Sequence, residues 1–125
     1  MTDRINYCET PEFQKDFKRL AKKYRTLDED FALAKKATIE LYHLQKINNN
    51  AVFPIPEYCR EPIEVLKLNK FACKSLFGKG VKSGIRIIYA FNSVSYKVDF
   101  IEIYYKGEQE NEDRDRIRNY LKGGL

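Results

Sequence analysis

The segment Ile85-Arg86-Ile87-Ile88-Tyr89-Ala90-Phe91 carries a single charge, Arg86, in a run that is otherwise apolar on both alternating faces. A guanidinium held there loses hydration and needs a partner. One candidate is a structural ion pair with Glu102 or Asp99 on a neighbouring strand. The other is a phosphate, because five donors in a fixed planar fork match phosphate oxygens. Lys67, in a second strand-like segment, offers further positive charge to the same sheet. From Val65 to Val98 the charged residues are Lys67, Lys70, Lys74, Lys79, Lys82, Arg86 and Lys97, with no Asp or Glu among them. The sign then reverses through Asp99, Glu102, Glu108, Glu110, Glu112, Asp113 and Asp115. On charge, Lys70, Lys74, Lys79 and Lys82 are the expected contacts to a polyanion backbone. Tyr104, Tyr105 and Lys106 close the last strand-like segment. Tyrosines there pack or cap a core, or stack on bases and move protons beside a phosphate.

Other chemistries are excluded by composition and spacing. Cys8, Cys59 and Cys73 are far apart, and His43 is the only histidine, so no zinc spacing exists. Reduced thiols are expected, with no metal and no cofactor. The loop Gly78–Gly84 is not a nucleotide-binding P-loop: Val81 stands where the second glycine belongs, and a strand rather than a helix follows. It reads as a basic turn able to touch a polyanion. The acidic run from Glu108 to Asp115 lacks the spacing of a calcium loop. His43 falls on a helix, at its surface or at the core edge. No run of 18 apolar residues offers a membrane span, and the amino-terminal residues lack an apolar signal core, so a cytoplasmic protein is expected.

The chain has 125 residues, 43% of them hydrophobic and 33% charged, with net charge +5. This suits one globular domain, residues 1–125. Arg4 to Glu9 alternates as a short strand. Thr10-Pro11-Glu12 is a helix start, and Phe13, Phe17, Leu20 and Tyr24 form one apolar stripe after it. Thr26 with Glu29 fits a capping box opening a second helix that carries Phe31, Ala34, Ile39, Leu41 and Leu44. The two make a helical hairpin. Pro54, Pro56 and Pro62 mark a long surface connection. Strands follow at Val65–Leu68, Ile85–Phe91 and Tyr96–Tyr105, the last two forming an antiparallel hairpin. Glu108 to Leu121 reads as a helix whose charge order suits its dipole, with a thin stripe of Ile117 and Leu121 that should pack weakly. The fold class is therefore α+β: an N-terminal strand and helical hairpin packed on a mostly antiparallel sheet, with a C-terminal helix. The helices are expected on one face.

Three segments carry a family resemblance. Glu12 to Tyr24 resembles the first helix of RelE/ParE-superfamily toxins, in the RelE- and HigB-like branch of bacterial toxin–antitoxin systems. Gly78 to Tyr89 is similar to the family's glycine-and-arginine strand. Ile101-Glu102-Ile103-Tyr104-Tyr105-Lys106 resembles its final strand, which ends in lysine. The resemblance spans roughly Arg4 to Tyr120, and the link Asn50–Pro62 is longer than is usual in the family. It implies a cytoplasmic toxin held inactive by a cognate antitoxin protein. It implies translation inhibition by cutting mRNA on the ribosome, through attack of a ribose 2′-OH on the adjacent phosphate without metal. A ParE-like inhibitor of DNA gyrase and a catalytically silent antitoxin-binding homologue are the alternatives. The resemblance makes Arg86 the phosphate clamp, Lys67 a second cation, and Lys106 with Tyr105 the end of the catalytic strand. RelE itself has a second lysine where Asn69 stands and an arginine where Gly107 stands. The proton donor and acceptor are not assigned by it, with Tyr105 and Glu102 as candidates.

Overall fold

The structure is a computed structural model, and it describes residues 4–48, 50–76 and 83–123. The basic glycine loop with Lys79 and Lys82 lies outside the described residues. Strand β1 (Asn6–Glu9) leads into helix α1 (Pro11–Lys23). The Thr10 hydroxyl accepts from the Phe13 N–H at 3.2 Å, so the N-cap forms as the sequence predicts. Helix α2 (Leu27–Ala34) continues without a break through a π-helical segment, Lys35–Glu40, into α3 (Leu41–Gln45). The π segment inserts an extra residue into the turn. The buried positions run Leu27, Phe31, Ala34, then Ile39 and His43, so the wide turn keeps one face on the sheet. The expected capping box at Thr26 and Glu29 is absent. Thr26 donates to Asp30 Oδ2 at 2.7 Å, and Glu29 faces Lys74 in an exposed pair.

The proline-containing link is more structured than predicted. It holds a short edge strand, β2 (Val52–Pro54), and a 3₁₀ turn at Pro56–Tyr58. Pro54 ends a three-residue strand at the sheet margin, where its missing N–H interrupts no central ladder. Then come β3 (Ile63–Leu68), β4 (Ile85–Asn92), β5 (Lys97–Tyr105) and helix α4 (Arg114–Gly123). The five strands form one sheet in the order β1-β5-β4-β3-β2, in which only β1 runs parallel to its neighbour. The architecture is mixed α+β, with the helical hairpin after the N-terminal strand. Among the described residues no helix is long and apolar enough to cross a membrane.

The helices occupy both faces of the sheet, contrary to expectation. Helices α1 to α3 cover one face, where Phe13, Phe31, Leu66, Ile87, Tyr89 and Phe100 form the larger core. Phe100 sits among aromatic rings, with centroids of Phe31 at 4.8 Å and Phe13 at 5.2 Å. Helix α4 lies on the second face, where Ile117 packs with Ile55, Tyr58, Val65, Ile88, Ile101 and Tyr104. It starts at Arg114 rather than Glu108. The acidic residues before it form turns, and Asp113 accepts from the Arg116 N–H at 3.2 Å in the manner of an N-cap. Its thin stripe is reinforced by polar ties: Arg116 reaches Asp16 on α1, and Tyr120 donates to Asp99 on β5.

One irregularity organises β5. Opposite β4 the register steps between Ile88 and Tyr89, which pair with Glu102 and Phe100. Ile101 is the extra residue of a β-bulge. The Phe100 carbonyl accepts from the Thr10 N–H at 3.1 Å and from its hydroxyl at 3.0 Å, and the Ile101 carbonyl accepts from Arg116 at 3.2 Å. The acceptors beside the bulge are thus satisfied by the start of α1 and by α4.

His43 is core, not helix surface: it is 4% exposed, stacks on Phe91 at 3.9 Å and shares a 2.9 Å hydrogen bond with the Tyr89 hydroxyl. Burial, aided by Lys46, lowers its pKa to about 4. Its folded value lies below the unfolded value of roughly 6.5. The folded state therefore holds the neutral ring in preference to the cation. This stability is complete above pH 6.5 and is lost as pH falls towards 4. Urea unfolding at pH 7 and 4.5 should show a loss of roughly 2–3 kcal/mol from this group. In His43→Gln that component of the loss should disappear.

Candidate nucleic-acid interface

Side chains of directly paired residues share a face, so the register alone locates the candidates. Arg86 pairs with Tyr104, Lys67 with Ile88, and Phe53 with Lys67. All lie on the face that carries α4. The helix and the 3₁₀ turn cover only the part of that face around Ile88, Ala90 and Ile101. The rest opens as a shallow depression of about 540 Å³ lined by Asn50, Phe53, Asn69, Lys70, Gly84, Arg86 and Lys106. The lining contains three cations and no carboxylate.

Arg86 is half-buried, and its Nη1 donates to the Asn69 carbonyl at 2.9 Å. Neither Glu102 nor Asp99 pairs with it, and among the described residues no carboxylate lies within ion-pair distance. The bond to a neutral carbonyl orients the guanidinium and leaves its charge uncancelled, with further donors to offer. Lys106 is exposed at the same depression, and its backbone N–H binds the Gly84 carbonyl at 2.8 Å. Among the described residues, the two buried side-chain polar atoms without a hydrogen-bond partner are Asn69 Oδ1 and the Tyr104 hydroxyl. Both residues adjoin Arg86. The Tyr104 hydroxyl lies near the Lys67 ammonium, which works against the rise in its pKa that burial causes.

The remaining sequence candidates are dispersed. Lys67 meets Glu112 at 2.9 Å, with side chains 22% and 7% exposed. Burial opposes both charges, yet the mutual contact prevails: the Lys67 pKa is raised and the Glu112 pKa lowered. Lys67 is therefore a cation with its own counter-ion. Lys74 faces Glu29 at 3.5 Å beside the start of α2, outside the depression. Lys70 does line the depression. Tyr105 lies on the opposite face, where it packs against Tyr24 at 5.6 Å. The bulge causes this. Strict alternation from Phe100 would bring Tyr105 to the Arg86 face, and the extra residue sends Tyr104 and Lys106 there instead.

Two glycines fit around the Tyr105 ring. Gly84, at φ +89°, would place a Cβ 3.1 Å from it, and a Cβ at position 107 would come within 2.4 Å. An arginine cannot replace Gly107 unless that ring moves. Glu102 is 2% exposed and accepts from Gln109 at 2.7 Å and from the Asp113 N–H at 2.8 Å. Burial raises its pKa, but it braces the turn before α4 and does not line the depression. Phe53, Asn50 and Asn69 were not singled out as site residues by sequence. An aromatic beside a proline in a link signals nothing until the link is seen to pair as a strand.

Comparison with models of protein families, with curated proteins and with solved structures finds no match to this chain.

Tyr104→Phe removes a buried hydroxyl that makes no well-aligned hydrogen bond and whose polar neighbour is the Lys67 ammonium, already held by Glu112. It should raise stability by about 1 kcal/mol in urea unfolding. An unchanged or lowered stability would mean that the hydroxyl is hydrogen-bonded in solution.

Proposed function

We propose that this chain is the toxin of a toxin–antitoxin module and acts as a metal-independent endoribonuclease on ribosome-bound mRNA. The observation that carries this reading is the carboxylate-free depression in which Arg86 and Lys106 face one opening without carboxylate counter-ions among the described residues. Arg86 binds two oxygens of the scissile phosphate. Attack by the adjacent 2′-OH forms a bond to phosphorus and breaks the bond to the 5′ oxygen, leaving a 2′,3′-cyclic phosphate. Arg86 stabilises the added charge of the pentavalent intermediate, and the Lys106 ammonium donates a proton to the departing 5′ oxygen. The 2′-OH proton leaves to water, since the lining holds no carboxylate or imidazole. The fold class agrees with the one the family resemblance implies. A cytoplasmic location and a cognate antitoxin partner are parts of the same proposal.

The composition of that lining also supports a second reading. A site able to bind anions but without a carboxylate or imidazole base suits an inhibitor of DNA gyrase that performs no hydrolysis. Induced expression separates the two. The nuclease reading expects arrested translation, new 5′ ends within ribosome-bound messages, and normal plasmid supercoiling. Arg86→Ala should cut the cleavage rate by roughly 10²-fold or more while the protein stays folded. Intact messages with altered supercoiling would transfer the assignment to gyrase. Intact messages and normal supercoiling would leave the antitoxin-binding homologue.

A further inference from the structure

Phe53 is 41% exposed on the edge strand β2, at the rim of the depression that holds Arg86 and Lys106. Among the described residues the other exposed large hydrophobics are Leu33, Ile47 and Val94, all aliphatic and none lining this depression. Phe53 is thus the one exposed large aromatic residue described, and it stands beside Arg86 and Lys106, for which no carboxylate partner is seen among the described residues. An apolar ring on a sheet edge is costly to leave bare, because edges invite pairing and aggregation. Its neighbours Val52 and Pro54 turn to the helix side, where Val52 is fully packed, so strand alternation fixes Phe53 on the Arg86 face.

We infer that Phe53 is a base-stacking platform that makes this site select single-stranded RNA. The inference rests on the nucleic-acid reading above and deepens it by naming the substrate class. Phe53 is level with Lys67 on β3 and Ile88 on β4, so Arg86 lies two strand spacings across and two residues along, about 12 Å away. A nucleotide laid across β3 can place its base on the ring and a neighbouring phosphate at the guanidinium. Every base has a π-face, so such a platform tolerates any sequence. A duplex hides those faces within its stack, and cannot use the ring without unpairing. Asn50 and Asn69 line the same depression, and the Asn69 carbonyl holds the Arg86 guanidinium.

The test is fluorescence anisotropy with labelled hexaadenylate, the same oligomer carrying one abasic ribose at each position in turn, and a blunt RNA duplex. Wild-type protein should bind hexaadenylate more tightly than the duplex. Phe53→Ala should weaken hexaadenylate binding roughly tenfold, with Phe53→Tyr close to wild type. One abasic position should weaken wild type by a similar factor yet leave Phe53→Ala unaffected, because base and ring are then one interaction. The slope of log affinity against log salt should stay unchanged in Phe53→Ala and become shallower by about 1 in Arg86→Ala. If wild type and Phe53→Ala bind hexaadenylate equally while Arg86→Ala binds weakly, the platform is overturned and the phosphate site stands. If wild type binds none of these RNAs yet cuts ribosome-bound messages, the platform is overturned and the nuclease reading stands; if it neither binds nor cuts, both fall.

Discussion

The single extra residue at Ile101 governs the layout of the sheet. Without it, β5 would alternate regularly from Val98, and Glu102, Tyr104 and Lys106 would fall on the helical-hairpin face. With it, Phe100 and Ile103 both remain in the larger core, while Glu102, Tyr104 and Lys106 turn towards α4 and Arg86. The bulge is itself held by contacts from both sides, Thr10 at the start of α1 and Arg116 on α4. The N-cap of one helix and the anchoring of another thus share the acceptors that the bulge leaves out of the ladder.

The second face is divided into a covered part and a bare part. Helix α4 has little apolar surface of its own, and Ile117 is its one fully buried side chain. Charge pairs and a phenol–carboxylate contact complete its attachment. The acidic turn before it does similar work, with Glu112 on Lys67 and Glu108 on Arg19 and Lys23. Those acids neutralise basic residues outside the depression. Arg86 is excluded from this neutralisation by its position, since its contact is a backbone carbonyl. A protein with net charge +5 thereby presents an uncancelled guanidinium in one shallow opening.

Much of the architecture is legible from local pattern. The Thr10-Pro11 start, the stripe of Phe13, Leu20 and Tyr24, and the strand around Arg86 depend on neighbours a few residues away. Such signals survive in one dimension. The edge strand at Val52–Pro54 is not legible, because three residues beside prolines acquire strand geometry only by pairing with β3. The π segment at Lys35–Glu40 is equally silent, its purpose being to keep Ile39 and His43 on the sheet. The acid-free stretch from Val65 to Val98 is clear in sequence, yet Lys67 and Lys74 each meet a carboxylate from a distant element. Charge patterning along a chain says nothing of which distant acid folds back onto it.

The sequence by itself determined the element types, the α+β class and the isolation of one arginine among aliphatics, because these follow from residue type and short-range periodicity. Only the tertiary structure decided which face each side chain takes beyond Phe100, and which lysines meet a carboxylate among the described residues. Only there does Phe53 stand beside Arg86. The physical reason is separation along the chain: strand parity turns on one bulged residue, and ion pairing turns on partners dozens of residues away, so neither is encoded in any local window.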